Sequence, residues 1–320
     1  MRDKSSAGLS FSWGHSRPFN DFPDYLKKRF GTRVQKLSID AGFTCPNRDG
    51  VVGTGGCTFC SNKAFTPGYC TPQKTVTEQL TKGMAFFSRK YPATRYLAYF
   101  QAYTNTYAPL AQLRSLYEEA LSVPGVVGIV IGTRPDCVTD DILVYLETLA
   151  KRVYVSVEYG IESTSDKTLA RVNRGHDFAD TVEAVRATSG RGIQTGGHLI
   201  LGLPGESPGD MLGHAFALNL LPLDIIKIHQ LQLIQGTPMA DVYASKPDDF
   251  TLFTPESYRD LLIRFLEVLR PSMVVERFAS ISSPGLLVSR RWGLKNYQLV
   301  NLVEKEMARR RTWQGRLFSE

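Results

Sequence analysis

The stretch Asp40-Ala41-Gly42-Phe43-Thr44-Cys45-Pro46-Asn47-Arg48-Asp49-Gly50, closed by Gly55-Gly56-Cys57-Thr58-Phe59-Cys60, gathers three of the chain's five cysteines. Glycine and proline at that density make it a loop rather than a helix. A 4Fe-4S cubane normally takes four cysteine thiolates, so three leave one iron open to a ligand that is not protein. A Cys-x-x-Cys pair is also the commonest half of a structural zinc site. Zinc would need a fourth ligand. Cys70 is the one at hand, at a spacing that does not repeat the pair, and no histidine lies in the loop. A disulfide fits less well, because the cysteine number is odd and no secretory signal precedes the loop. Cys137, after Thr133-Arg134-Pro135-Asp136, reads as a small half-buried residue.

Outward from the loop, short apolar runs alternate with helical patterns. Strands are expected at Val34 to Ile39, Tyr96 to Gln101, Val126 to Gly132, Val153 to Glu158, Thr195 to Leu201 and Ile225 to Leu233. Helices are expected at Val76 to Arg89, Leu110 to Leu121, Asp140 to Ala150, Phe178 to Ser189 and Met211 to Leu220. Strict alternation implies parallel strands with right-handed crossovers. The expected fold is therefore α/β, an incomplete (β/α)6 barrel, since closure takes eight units. The chain divides into an N-terminal extension over 1–33, the partial barrel over 34–240 and a small C-terminal α/β cap over 241–320. The cap would hold a helix from Tyr258 to Arg270 and a strand from Met273 to Ser280.

A parallel barrel carries its chemistry on the loops at the strand C-terminal ends. The cysteine loop follows the first strand. Gln101, Tyr103 and Asn105 follow the second, Arg134 and Asp136 the third, Glu158 to Glu162 the fourth, Leu203-Pro204-Gly205-Glu206 the fifth, and Gln232 and Gln235-Gly236-Thr237-Pro238 the sixth. All should meet at one mouth.

With 320 residues, 42% of them hydrophobic and 22% charged, the chain can bury a large core. No apolar run reaches the roughly 18 residues that span a bilayer. Met1 to His15 is polar without an apolar h-region, so the expected compartment is the cytoplasm, which suits free thiols and an oxygen-sensitive cluster. The net charge of +7 leans toward a polyanion. Basic residues gather in Lys27-Lys28-Arg29 and in Arg309-Arg310-Arg311, followed by Trp313 and Arg316. They suit phosphates and a stacked base, or simply solvated helix ends.

The Cys-x-x-Cys pair, Phe59 before its last cysteine, and a first cysteine well upstream resemble the radical S-adenosylmethionine (radical SAM) enzymes. Eleven residues separate Cys45 from Cys57, more than in most of that superfamily. Such spacing is similar to the branch containing the catalytic subunit of Elongator. Within that branch, Asp40 to Gly50, Tyr99-Phe100-Gln101-Ala102-Tyr103-Thr104-Asn105-Thr106, Glu158-Tyr159-Gly160-Ile161-Glu162-Ser163 and Gly197-His198-Leu199-Ile200-Leu201-Gly202-Leu203-Pro204-Gly205-Glu206 resemble the bacterial YhcC/YtqA-type family.

The resemblance implies a six-unit barrel in which Cys45, Cys57 and Cys60 ligate a 4Fe-4S cluster and the open iron chelates the methionine end of S-adenosylmethionine (SAM). Superfamily members hold the methionine amine with a Gly-Gly-Glu segment after the second strand. This chain has Gln101-Ala102-Tyr103-Thr104 instead, so Gln101, Tyr103 and Thr104 are the stand-ins. Glu158 and Glu162 flank Gly160, whose missing side chain would admit a ligand, and their carboxylates suit ribose hydroxyls or a helix start. His198 suits adenine or a core hydrogen bond. Arg171, Arg174 and His176 would receive the SAM carboxylate or a substrate anion. Gly202-Leu203-Pro204-Gly205 lacks the ending of a phosphate-binding loop and reads as a strand-ending turn.

The implied activity is reductive cleavage of SAM to a 5′-deoxyadenosyl radical that takes hydrogen from substrate. Elongator likeness implies tRNA, at the C5 substituent of a wobble uridine. The residues after 240 are too few for an acetyltransferase domain, so acetyl-CoA is not expected. An electron donor such as flavodoxin or ferredoxin is. The competing readings are the same chemistry on a small metabolite or protein side chain, and an iron-sulfur redox or oxygen sensor.

Overall fold

The computed structural model describes residues 11–88, 95–280, 282, 285–289 and 291–319. The first ten residues of the polar Met1 to His15 stretch, Arg89 at the expected end of the helix from Val76, and Glu320 lie outside the described residues. The first half of the chain forms α1 (Phe22–Phe30), β1 (Val34–Ile39), α2 (Val76–Ser88), β2 (Arg95–Phe100), α3 (Leu110–Ser122), β3 (Val126–Thr133), α4 (Asp140–Ala150) and β4 (Tyr154–Glu162). The second half forms α5 (Asp166–Arg171), α6 (Phe178–Thr188), β5 (Gln194–Leu201), α7 (Pro208–Asn219), β6 (Ile225–Gln230), α8 (Pro238–Ser245), α9 (Pro255–Val268), β7 (Val274–Arg277) and α10 (Asn296–Arg310).

Each of the six expected strands forms, with ends that move by a few residues. β6 stops at Gln230 because Leu231 turns inward and donates its amide to Leu201 O at 2.8 Å. Asp177, Ser207 and Thr254 start α6, α7 and α9 with reciprocal capping boxes, which satisfy amides that a helix start leaves unpaired.

The seven strands make one sheet in sequence order, each parallel to the next. The strand expected in a C-terminal cap is thus β7 of the barrel sheet itself, paired with β6. Val274 and Val275 are buried there, and burying them against β6 costs fewer unpaired backbone groups than a separate two-element cap would. β1 and β7 are the free edges of the sheet, yet Lys36 Nζ on β1 donates to Glu276 Oε2 on β7 at 2.7 Å. The sheet therefore curls into an open half-barrel whose edges lie a side chain's reach apart.

Outside the curl, the helices bury the main core. Inside it, α1 plugs the end where the strands begin. Phe22 and Leu26 pack with Leu97, Tyr99, Val130, Tyr154, Ile225 and Val274, several at the first residues of their strands. Val275 N donates to Asn20 O at 2.7 Å, fastening the plug to β7. The cysteine loop lies at the opposite end, so the interior is closed below and open above.

Leu26→Ala should cost about 2–5 kcal/mol by loss of transfer energy plus a cavity. Urea denaturation under anaerobic conditions checks this. A loss under about 1 kcal/mol would mean that the plug does not depend on this contact.

Candidate active site

The cysteine loop is folded from its own backbone and clasped by the segment after α5. Gly56 N donates to Asn47 O at 2.8 Å, Thr58 N to Val172 O at 2.9 Å, and Cys60 N to Cys57 O at 3.0 Å. Gly55 and Gly56 take left-handed φ values of 79° and 83°, which a residue with a side chain rarely adopts. Asn47 Nδ2 donates to Asn173 O at 2.6 Å. Cys45, Cys57 and Cys60 all line one cavity of about 440 Å³ at the open end of the barrel.

These residues fit a cluster. Arg174 Nη1 donates to Cys57 Sγ at 3.5 Å and Asn47 Nδ2 reaches it at 3.8 Å, an environment of N–H donors that stabilises cluster sulfur. Asn47 Oδ1 and Arg174 Nε are buried without partners. Burial, then the neighbouring Cys57, pushes the Cys60 thiol up, with Arg48 opposing. Loading the metal therefore releases a proton there. Among the described residues no three His, Cys, Asp or Glu side chains close on one ion. Cys70, the fourth zinc ligand considered above, donates to Ser38 O at 2.9 Å and does not line the cavity. Burial and Asp136 push the Cys137 thiol to about 12, and it too is off the cavity.

Gln101, Tyr103 and Thr104 form the wall next to the cysteines. Thr104 N donates to Thr44 O at 3.2 Å, tying this wall to the cysteine loop. Tyr103 sits at φ 60° with Arg48 5.6 Å over its ring. Glu162 is also held at positive φ, 66°, where β4 bulges against β5. Strain of this kind persists where the surroundings over-determine it, commonly at ligand sites. Burial pushes the Glu162 carboxyl up, with Arg174 and Lys227 opposing. Gly160 lines the cavity, and its missing side chain leaves room for its neighbours. Arg174 Nη2 donates to its carbonyl at 2.6 Å, and a Cβ at 160 would lie 2.7 Å from both Arg174 Nη2 and Glu162 Oε1.

Below this wall, a ring of four charges crosses the barrel interior. Lys36 of β1 donates to Glu158 of β4 and to Glu276 of β7. Lys227 of β6 reaches the same two carboxylates at 2.9 and 3.2 Å. Lys227 is 1% exposed and Glu158 2%. Two lysines and two glutamates cancel, as such burial requires. Lys227 Nζ also donates to Tyr99 Oη at 3.0 Å and lies 4.5 Å above that ring. Burial would push the Glu158 carboxyl up, but Lys227, Lys36 and His198 outweigh it and hold it well below the usual range. Both of its oxygens are engaged, so Glu158 braces the cavity floor instead of offering a free carboxylate to a ribose. His198 likewise faces the ring, Nε2 lying 2.8 Å from Glu158 Oε2. Burial and Lys227 lower it to about 4. Burial and Arg277 lower His229 still more clearly, so both imidazoles are neutral at pH 7.

Arg171, expected with Arg174, instead pairs with Asp249 at 2.5 Å away from the cavity, and neither it nor His176 lines it. Lys36, Lys227 and Glu276 escaped the sequence reading, although a lysine midway along Val34 to Ile39 and another midway along Ile225 to Gln230 were a usable signal. Their partners lie on other strands, so the pairing itself was not visible. Both basic clusters are the last turns of helices, α1 and α10, where cations offset the helix dipole. Arg309 and Arg310 pair with Glu306, and Arg310 also with Asp260. The α1 cluster sits at the plugged end, away from the cysteines.

His198 gives the site a pH signature. Its folded value, about 4, lies below the ordinary 6.5, so the unfolded chain binds the extra proton between those values and stability falls as pH drops from about 6.5 toward 4. It is faced by Glu158, Lys227 and His229, and His229 adds loss in the same direction. Denaturation midpoints at pH 7 and 5 should differ in the wild type, and His198→Gln should reduce the difference by up to about 1.4 kcal/mol per pH unit. An unchanged slope would exclude this histidine as the source.

Residues 48–218 match the radical SAM superfamily and residues 223–309 the Radical_SAM C-terminal domain. Over 297 residues the chain is 38% identical to YtqA of Bacillus subtilis, covering 92% of this chain and 91% of that protein. It is 27% identical over 188 residues to the tRNA uridine(34) acetyltransferase of Methanocaldococcus infernus, across 58% of this chain and 34% of that enzyme. Among solved structures, the archaeal Methanocaldococcus infernus Elp3 with an N-terminal deletion aligns at a TM-score of 0.65 and 17% identity, over 88% of this chain and 64% of that one, a likeness of fold. The superfamily match covers more than half of the chain, taking in Cys57, Cys60 and strands β2 to β5, and on that ground the chain belongs to the radical SAM superfamily, with a 4Fe-4S cluster and SAM as its cofactors.

Proposed function

We propose that this radical SAM enzyme modifies tRNA, at the C5 substituent of a wobble uridine. The observation that carries the reading is the match of 58% of the chain to a tRNA uridine(34) acetyltransferase. The match takes in 34% of that enzyme, and the reading carries over its tRNA uridine substrate alone. When bound, the reduced cluster and SAM supply a 5′-deoxyadenosyl radical that takes a hydrogen atom from the substrate.

The chain's own residues hold, orient and shield. Cys45, Cys57 and Cys60 hold the cluster, and Arg174 and Asn47 donate to Cys57. Gln101, Tyr103, Thr104 and Glu162 form the SAM wall. Glu162 carries the ribose contact first assigned to Glu158 and Glu162 together. Glu158, His198 and the two lysines close the floor against water from below. The cytoplasm supplies tRNA and a flavodoxin or ferredoxin as electron donor. No helix among the described residues is long and apolar enough to cross a membrane.

Anaerobically reconstituted protein should hold about four irons per chain. Cys45→Ala, Cys57→Ala and Cys60→Ala should each lose the iron, and Cys70→Ala and Cys137→Ala should keep it, by colorimetric iron assay. Iron loss on Cys70→Ala would overturn the ligand set. Glu162→Gln should weaken SAM binding about tenfold with iron intact, since a charge-assisted hydrogen bond is worth about 1.5–3 kcal/mol. Unchanged affinity would return Glu162 to a structural role. Mass spectrometry of tRNA nucleosides from cells with and without the gene tests the substrate. Identical nucleoside profiles would transfer the reading to a metabolite or protein side chain.

A further inference from the structure

Arg277, the last residue of β7, lines the cavity half-buried, and its guanidinium has no hydrogen-bond or ion-pair partner among the described residues. Among the described residues the other cations of the cavity are engaged: Arg48 donates to Cys60 O at 3.3 Å and Arg174 to Gly160 O at 2.6 Å. Lys36 and Lys227 are shared between Glu158 and Glu276, and higher up Arg134 is paired with Asp136 at 2.7 Å. His198 and His229 are neutral. Arg277 is therefore the cavity-lining cation left without a hydrogen bond or ion pair among the described residues, and its charge sits on a planar fork that binds an oxyanion in two parallel hydrogen bonds. Around it lie His229, Gln230, Gln232 and Ser280. Gln230 and Gln232 both donate to Ser280 O, at 3.1 and 2.9 Å, which fixes this side of the cavity.

A recessed guanidinium with no internal partner loses hydration without gaining a hydrogen bond, which is a net cost. Such an arrangement is stable and useful when a ligand supplies the missing oxygens. From this we infer that Arg277 binds an anionic oxyacid group of the substrate, a phosphate or a carboxylate, and so sets how the substrate lies in the cavity. The inference rests on reading the cavity as the reaction chamber and is independent of whether the substrate is RNA. On the same side the cavity meets a second hollow of about 190 Å³ that shares Gln230, Leu231, Gln232 and Ser280 and is lined by Phe253 and Trp292. The part of the substrate beyond its anion has room there.

The test uses the reconstituted holoenzyme with SAM bound, titrated by calorimetry with inorganic phosphate, uridine 5′-monophosphate, uridine and succinate. At least one oxyanion probe should bind. Arg277→Gln should weaken it about tenfold or more, and Arg277→Lys, which keeps the charge but not the fork, by less. Iron content and SAM affinity should stay as in the wild type in both variants. Preference for uridine 5′-monophosphate over uridine and succinate assigns the anion to a nucleotide phosphate. Preference for succinate keeps the site and removes RNA as the source. No probe binding, equal binding to Arg277→Gln, or a fall in SAM affinity that tracks the fall in probe binding would each overturn the proposal.

Discussion

The four-charge ring of Lys36, Glu158, Lys227 and Glu276 is the constraint on which the rest of the interior depends. It draws side chains from β1, β4, β6 and β7 to one place, and two of those strands are the edge strands of the sheet. A closed barrel joins its edges by backbone hydrogen bonds. Here a lysine and a glutamate make that junction, while α1 covers what remains open. Removing one member would leave three buried charges unbalanced, which costs about 3–5 kcal/mol. Burial beside this ring, with Lys227 next to His198 and Arg277 next to His229, keeps the neighbouring histidines unprotonated.

Above the ring the architecture changes from packed to cradled. Two non-glycine residues at positive φ, Tyr103 and Glu162, face the cavity. Arg174 reaches from the segment after α5 to the Gly160 carbonyl and the Cys57 sulfur together. That one side chain couples the cysteine loop to the bulge in β4. Arg134 Nη1 donates to Arg174 O at 2.8 Å and holds the segment from the other side. Cluster loop, cofactor wall and floor are thereby fixed to one another through side chains of different strands.

Charge on the surface has a different meaning from charge in the cavity. The basic runs in α1 and α10 answer the dipoles of their own helices, and Arg309 and Arg310 in α10 also answer the acids beside them. Held in the exposed, solvent-screened setting of helix ends, each such charge contributes only about 0–1 kcal/mol. Selectivity for an anionic substrate falls to the recessed groups, where water does not screen them.

The sequence by itself determined the order and type of the barrel elements, because alternating apolar runs and capped helical patterns are local signals. It also singled out Cys45, Cys57 and Cys60 as the candidate cluster ligands, because the three share one glycine-rich loop. Tertiary structure alone decided what Glu158, His198 and Gly160 do. A carboxylate on β4 is a free ligand or half of a buried pair depending on whether lysines from β1 and β6 arrive beside it, and those lysines are far away in sequence. In the same way β7 became a barrel strand because β6 offered an edge to pair with, and Arg277 stands without a hydrogen-bond or ion-pair partner among the described residues. Such outcomes depend on which distant groups share one low-dielectric space, and no local pattern in the chain records that.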